Sequence, residues 1–388
     1  MSRAGFAPAP ELAAIRENEG VVRFPTPWGL EAWLVTRHAD VRAVLSDHTR
    51  FSNARQRMIQ LASAKDMTPE QLEELRAGNL LAFDPPEHTR LRKFLSGEFT
   101  LRRMRRLEPL VAGIVAEHLD AMEAKGPPAD LVSSFALPIP SLVICDLLGV
   151  PYGDREDFQR RTGDLLNVGL PPERRLAASQ EMRAYMTDLV ERVIAEPGEE
   201  LLGMLVREHG TDLSAKELVG IGTLLLIAGH ETTSNMLGLG TLALLRHPEQ
   251  LELLRAEPER IDAAVEELLR WLSIVHSGTA KVTTTEVEIA GQRIGEGELV
   301  LCALPTANRD PNFLEDPDLL DISRGAAGHL AFGHGIHHCL GAPLARMELR
   351  TAFPALLSRF PGLRLTGKEP EFRAFSVVYG LSELEVAW

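Results

Sequence analysis

The chain has 388 residues, 45% of them hydrophobic, and a formal net charge of −14. That composition suits a globular protein with one large domain or two to three small ones, and the acidic balance excludes a nonspecific nucleic-acid binder, which needs basic surface. Three cysteines, Cys145, Cys302 and Cys339, are too few and too odd in number for a disulfide framework, and they suit a reducing, cytoplasmic setting. The first ten residues lack the apolar core of a signal peptide, and no apolar run is long enough to span a bilayer, so no membrane anchor is expected.

Val21 to Arg37 reads as a hairpin around a Pro-Thr-Pro-Trp-Gly turn, followed by a helix from His38 to about Leu45. Residues 51–80 are irregular apart from the capped start Thr68-Pro69-Glu70-Gln71, and a long irregular segment is often functional. Pro85-Pro86 marks a helix start that sets His88 and Arg92 one turn apart on one face. Two such donors suit a carboxylate-bearing ligand, although read alone a solvated basic face explains them better. Arg102, Arg103, Arg105 and Arg106 form a dense basic cluster in an acidic chain, either solvated or a docking patch for an acidic partner.

Residues 107–210 read as mostly helical, with apolar runs at Leu110 to Met122 and Ser141 to Leu148 and a break at Val168 to Glu173. Ser214-Ala-Lys-Glu217 is a capping box opening a helical pattern to about Arg246, roughly 32 residues or about 48 Å. Its middle is apolar nearly all round, so it should run through the core. Ala228-Gly229-His230-Glu231-Thr232-Thr233-Ser234 then sets a carboxylate and hydroxyls in that core, which is costly without partners or work. Gly229 weakens the helix there, and a bulging kink is expected. Glu267 and Arg270 form an i, i+3 pair on the next helix, Ile261 to Trp271. Strands are expected from Lys281 and over Leu299 to Leu304, and a strand pair over Arg373 to Leu381.

Phe332-Gly-His-Gly-Ile-His-His-Cys339-Leu-Gly341 is a glycine-studded loop leading into a helix-like run. A cysteine at a helix N-terminus meets unpaired N–H groups that favour a thiolate. Read alone, the loop leaves three options open: haem, a zinc site drawing on His334, His337 and His338, or an inert buried cysteine.

The loop resembles the haem-binding loop of the cytochrome P-450 monooxygenases, and the other motifs follow in the family's order. Asp84-Pro-Pro-x-His88-x-x-x-Arg92 is similar to its propionate helix, Ala228-Gly229-x-Glu231-Thr232 to its oxygen-activation motif, and Glu267-x-x-Arg270 to its core pair. The resemblance implies a mainly α fold with a small β region, with residues 1–388 as a single domain holding haem between the long helix and the cysteine-led helix. It implies one haem b per chain, with Cys339 as axial iron ligand. Phe332, Gly333, Gly341, Ala228 and Gly229 would line the haem, and His88, Arg92, Lys281 and His337 would meet its edge and propionates. Lys281 stands where the family commonly has arginine and lacks that residue's bidentate fork.

Thr232 and Glu231 would then deliver protons to dioxygen, and Glu267, Arg270 and Arg324 would form a structural triad. Residues 51–80, 165–175, 220–233, 273–280 and 374–381 would line a pocket for a lipophilic polyketide, macrolide, terpenoid or steroid. Tyr379 and Glu385 replace the family's frequent arginine and proline. No fused flavin or iron–sulfur domain is expected, so the expected partners are a ferredoxin and its reductase, with the chain acting as a monomer. Peroxide-driven oxygenation and a haem-binding sensor are the competing functions, and the acid–hydroxyl pair disfavours both.

Overall fold

A computed structural model describes residues 3, 5–26, 30–54, 68, 73–74, 76–166, 170–276, 279–373 and 378–388. The chain resolves into two compact units, one of Met1–Ser63, Met236–Ala342 and Val377–Gly380, the other of Ala64–Asn235, Pro343–Ser376 and Leu381–Trp388. Residues 69–71 of the capped start, Val168 and Gly169 of the break, most of 51–80 and half of 374–381 lie outside the described residues.

The first unit is built on a five-stranded sheet. The expected hairpin forms from β1 (Val21–Pro25) and β2 (Glu31–Val35), paired from Val21 with Val35 to Pro25 with Glu31. Helix α1 (Pro10–Asn18) precedes it and α2 (His38–Ser46) follows. Strands β3 (Phe51–Ser52), β5 (Thr279–Thr283) and β8 (Leu299–Cys302) complete the order β1-β2-β8-β5-β3. All four residues of β8 are buried, which is why Leu-Val-Leu-Cys runs apolar without alternation. Val300 and Cys302 feed one core cluster and Leu299 and Leu301 the other, as the two-residue period of a strand requires. The strand expected from Lys281 divides, and its second half (β6, Val287–Ile289) turns back on β7 (Gln292–Ile294).

Most of the helix lies in the second unit. Thr100 caps the long helix Leu101–Lys125, which takes in the expected run from Leu110. Pro138–Leu148, Arg155–Leu166, Pro172–Ala195 and Leu201–His209 follow, then the long helix Ala215–Arg246, in which residues to Asn235 belong to this unit. The capping box forms at its start: Ser214 N–H donates to Glu217 Oε2 at 2.8 Å, and Glu217 N–H to Ser214 Oγ at 3.3 Å. A small sheet with β12 (Glu385–Ala387) between β4 (Ala129–Asp130) and β9 (Arg364–Leu365), and the pair β10 (Glu371–Phe372) with β11 (Leu381–Glu383), complete the unit.

No π turn interrupts the helix at Gly229, since Ala215–Arg246 is α-helical throughout. Its glycines serve close approach instead. A Cβ on Gly220 would stand 1.7 Å from the Ala77 carbonyl oxygen, and one on Gly229 3.1 Å from the end of Ile144. Among the described residues no helix is long and apolar enough to cross a membrane.

Candidate functional site

In the first unit, the loop before helix Ala342–Arg359 bends at Gly333 and Gly335, whose φ angles of 68° and 72° favour glycine. A side chain on Gly335 would also meet the Leu45 carbonyl oxygen at 2.3 Å, so this loop rests on the end of α2. Cys339 N–H donates to the Phe332 carbonyl at 2.9 Å, closing the loop and leaving the cysteine exposed. The helix proper starts at Ala342, so Leu340 and Gly341 intervene between it and the sulfur. Cys145 and Cys302 are buried, and burial pushes both thiols up to about 12. His337 has buried ring nitrogens, and Lys281 on β5 is only 1% exposed. His334 instead lies beside Arg42, whose Nε donates to its Nε2 at 3.3 Å. Among the described residues no three His, Cys, Asp or Glu side chains converge as metal ligands, which leaves the zinc option without a donor set.

The expected triad takes a different form. Glu267 and Arg270 are fully buried and joined by two hydrogen bonds of 2.7 and 2.8 Å. Arg270 spends its other donors on the carbonyls of Asn308, Pro317 and Leu319. Arg324 pairs with Asp321 at 3.5 Å, and it is the Asp321 N–H that reaches Glu267, at 3.1 Å. The third member of the triad, Arg324, thus meets the pair through Asp321.

In the second unit, His88 is buried on helix Glu87–Ser96, with Arg92 half-buried one turn on. Along the long helix, His230, Glu231, Thr233, Ser234 and Asn235 are buried. Leu224, Ala228 and Thr232, one turn apart, form an accessible stripe joined by Ile227. Thr232 Oγ1 donates to the Ala228 carbonyl at 2.7 Å, so its lone pairs remain to accept a proton donor. Burial draws the His230 imidazole down to about 4, keeping it neutral.

Glu231 is held by contacts that sequence reasoning missed. Nη1 of Arg373 donates to both its oxygens, at 2.9 and 2.7 Å, and Asn235 Nδ2 to Oε2 at 3.0 Å. Asn235 stands at i+4, a spacing that could have flagged it. Arg373 is remote in sequence and gave no local signal. Its Nε also donates to the Leu381 carbonyl, tying the acid to the β10–β11 pair.

These residues fit an iron porphyrin. The thiol is exposed where a metal can reach it, and the accessible helix stripe is apolar with one hydroxyl, suited to a flat hydrophobic ring. Lys281 and His337 in the first unit and His88 and Arg92 in the second are all donors, the chemistry that an anionic group calls for.

The basic cluster is only partly exposed. Arg103 is drawn into ion pairs with Glu98 and Glu208, whereas Arg102, Arg105 and Arg106 stay exposed.

A family pattern described as Cytochrome P450 matches residues 199–381. Cytochrome P450 FAS1 of Rhodococcoides fascians is 48% identical over 100% of this chain and 98% of its own length. Nocardicin C N-oxygenase of Nocardia uniformis is 42% identical over 98% of this chain and 95% of its own. Among solved structures, the LnmA cytochrome P450 hydroxylase of the leinamycin biosynthetic pathway of Streptomyces atroolivaceus superposes with a TM-score of 0.89 at 42% identity, covering 100% of this chain and 98% of that one.

Proposed function

This chain belongs to the cytochrome P450 family, an oxygenating oxidoreductase that binds haem b through a cysteine thiolate, and we propose that it hydroxylates or epoxidises a lipophilic secondary metabolite. The single observation that carries the assignment of roles is the exposure of Cys339, alone among the three cysteines, on a loop shaped by two glycines of positive φ. When bound, the haem supplies the activation of dioxygen and the transfer of one oxygen atom to substrate. The residues of the chain supply the ligand, the fit and the protons. Cys339 would hold the iron, and Phe332, Gly333, Gly341, Ala228 and Gly229 would accept the ring. His88, Arg92, Lys281 and His337 donate to the propionates. Thr232, with lone pairs free beyond its bond to Ala228, accepts and passes a proton, and Glu231 resupplies it from solvent when one oxygen releases Arg373.

Glu267 and Arg270, braced by Arg324 through Asp321, keep the polypeptide around the cysteine loop in place. Residues 1–388 act as one haem domain, a cytoplasmic monomer reduced by a ferredoxin and its reductase. Arg102, Arg105 and Arg106 receive the acidic ferredoxin, with Arg103 anchoring the helix that carries them. Arg102 and Arg103, in the first turn of this helix, oppose its dipole, so they are poorly explained by stability. The relatives named for nocardicin C and leinamycin support a secondary-metabolite substrate.

The test is the spectrum of the reduced, carbon-monoxide-bound protein. Wild type is expected to show the thiolate signature and Cys339→Ala to lose it; an unchanged spectrum in the variant would refute the axial assignment. Thr232→Ala is expected to divert electrons to hydrogen peroxide, and unchanged coupling would remove the proton role.

A further inference from the structure

Three distant pieces of the first unit meet around Tyr379. The Arg3 guanidinium donates to the carbonyls of Leu272 at 2.5 Å, Ser273 at 3.1 Å and Phe6 at 2.7 Å. Leu272 ends the helix Ile261–Leu272 and Ser273 follows it with a left-handed φ of 39°, so Arg3 sits where a helix leaves its carbonyls unpaired and its dipole favours a cation. The same guanidinium lies 4.4 Å over the Tyr379 ring, a cation–π contact, and burial draws its pKa down to about 9. Tyr379 returns the link: its hydroxyl donates to the Gly5 carbonyl at 2.8 Å and its N–H to the Ile274 carbonyl at 2.8 Å. Val275 and Val378 form an antiparallel bridge beside it, and the His276 ring stands 5.4 Å from the Tyr379 ring. Phe6 anchors the other end, 4.9 Å from Trp271, with Arg309 donating to both their carbonyls.

The two segments joined here, 273–276 and 378–380, belong to stretches taken above as lining the substrate pocket. We infer that the N-terminal residues Arg3, Gly5 and Phe6 are a positioning element of that pocket, setting through Arg3 and Tyr379 the spacing of its two walls and hence which lipophilic substrates fit. The inference rests on the pocket reading. A tail needed only for stability would pack its apolar residue, as Phe6 does. It would not need a cation spent on both the helix end preceding one wall and the tyrosine of the other.

Two probes separate the possibilities in the full-length, haem-loaded protein. Imidazole ligates the iron and extends no further, whereas 4-phenylimidazole also projects a ring into the pocket. Arg3→Ala is expected to weaken 4-phenylimidazole by about three- to tenfold, the net size of one ordinary hydrogen bond, with imidazole unchanged. Arg3→Lys should recover part of the loss. Tyr379→Phe, which keeps the ring but cuts the Gly5 link, should fall between. Hydrogen exchange at the Tyr379 amide should quicken in Arg3→Ala whether or not haem is bound. If both azoles bind as in wild type while only the melting temperature falls, or both weaken equally, the inference is overturned. Val275→Trp is the control for the pocket reading. If it leaves 4-phenylimidazole unaffected, that reading fails and takes the inference with it. If it blocks the probe while Arg3→Ala does nothing, the positioning role alone is wrong.

Discussion

Cys145 and Cys302 are buried with thiols pushed up to about 12, whereas Cys339 is exposed on its loop. One thiol per chain is therefore expected to react with iodoacetamide at pH 8 in the haem-free folded protein, and three after unfolding; mass spectrometry should place the single adduct on Cys339. Modification of Cys145 or Cys302 under native conditions would contradict the burial. Glu348 poses the opposite case, a carboxyl fully enclosed in helix Ala342–Arg359, with Oε2 buried and unpaired and the group raised by burial from 4.5 to about 8. The folded chain then holds this proton more tightly than the unfolded chain. The contribution to stability is complete below about 4.5 and is lost as pH rises through about 8. Glu348→Gln should flatten the fall in melting temperature between pH 5 and 9, a fall on the order of 3–5 kcal/mol in stability. An equal slope in the variant would show that Glu348 is not its source. Sequence spacing put Cys339 in its loop. It could not mark Glu348, since a Glu in a helix reads as a solvated residue until packing encloses it.

Between elements, the contact of most consequence is the ion pair of Arg373, beside β10, with Glu231 on the long helix. Removing one partner of a buried pair strands the other, so Arg373→Ala should destabilise by about 2–4 kcal/mol, with Arg373→Lys losing less. Denaturant unfolding measures this, and a loss under 0.5 kcal/mol would mean that solvent already screens the pair. Gly220→Ala should be similarly harmful, because its methyl group would overlap the Ala77 carbonyl in the segment before Leu80. These packings explain where sequence reading stopped. The capping box at Ser214 depends on residues within three positions and was legible, whereas the equally local cap at Thr100 went unread. Gly229 looked like a kink because local propensity sees only the cost of glycine, whereas its use is to admit Ile144 from another helix. The route from Arg324 through Asp321 to Glu267 likewise depends on a loop conformation that spacing does not encode.

At the scale of the molecule, the sheet order β1-β2-β8-β5-β3 joins strands from both ends of the first unit, which alternation along single strands could not reveal. The mainly α composition was legible, because capped helices with apolar faces dominate the middle of the chain. Charge is the property that belongs to the whole molecule, and here a net −14 surrounds three exposed arginines at one helix start. An acidic electron donor is repelled by most of this surface, so a local basic patch has a large effect on where it lands. Reversing Arg102 and Arg105 to Glu should slow reduction by a ferredoxin by about tenfold at low salt, with the difference shrinking as ionic strength rises beyond about 0.15 M. Both residues are exposed and Arg103 keeps its anchoring pairs, so haem content and melting temperature should change little. Stopped-flow reduction under carbon monoxide at several salt concentrations gives the rates. A reversal that lowers haem content but leaves the salt dependence of reduction intact would place the docking surface elsewhere.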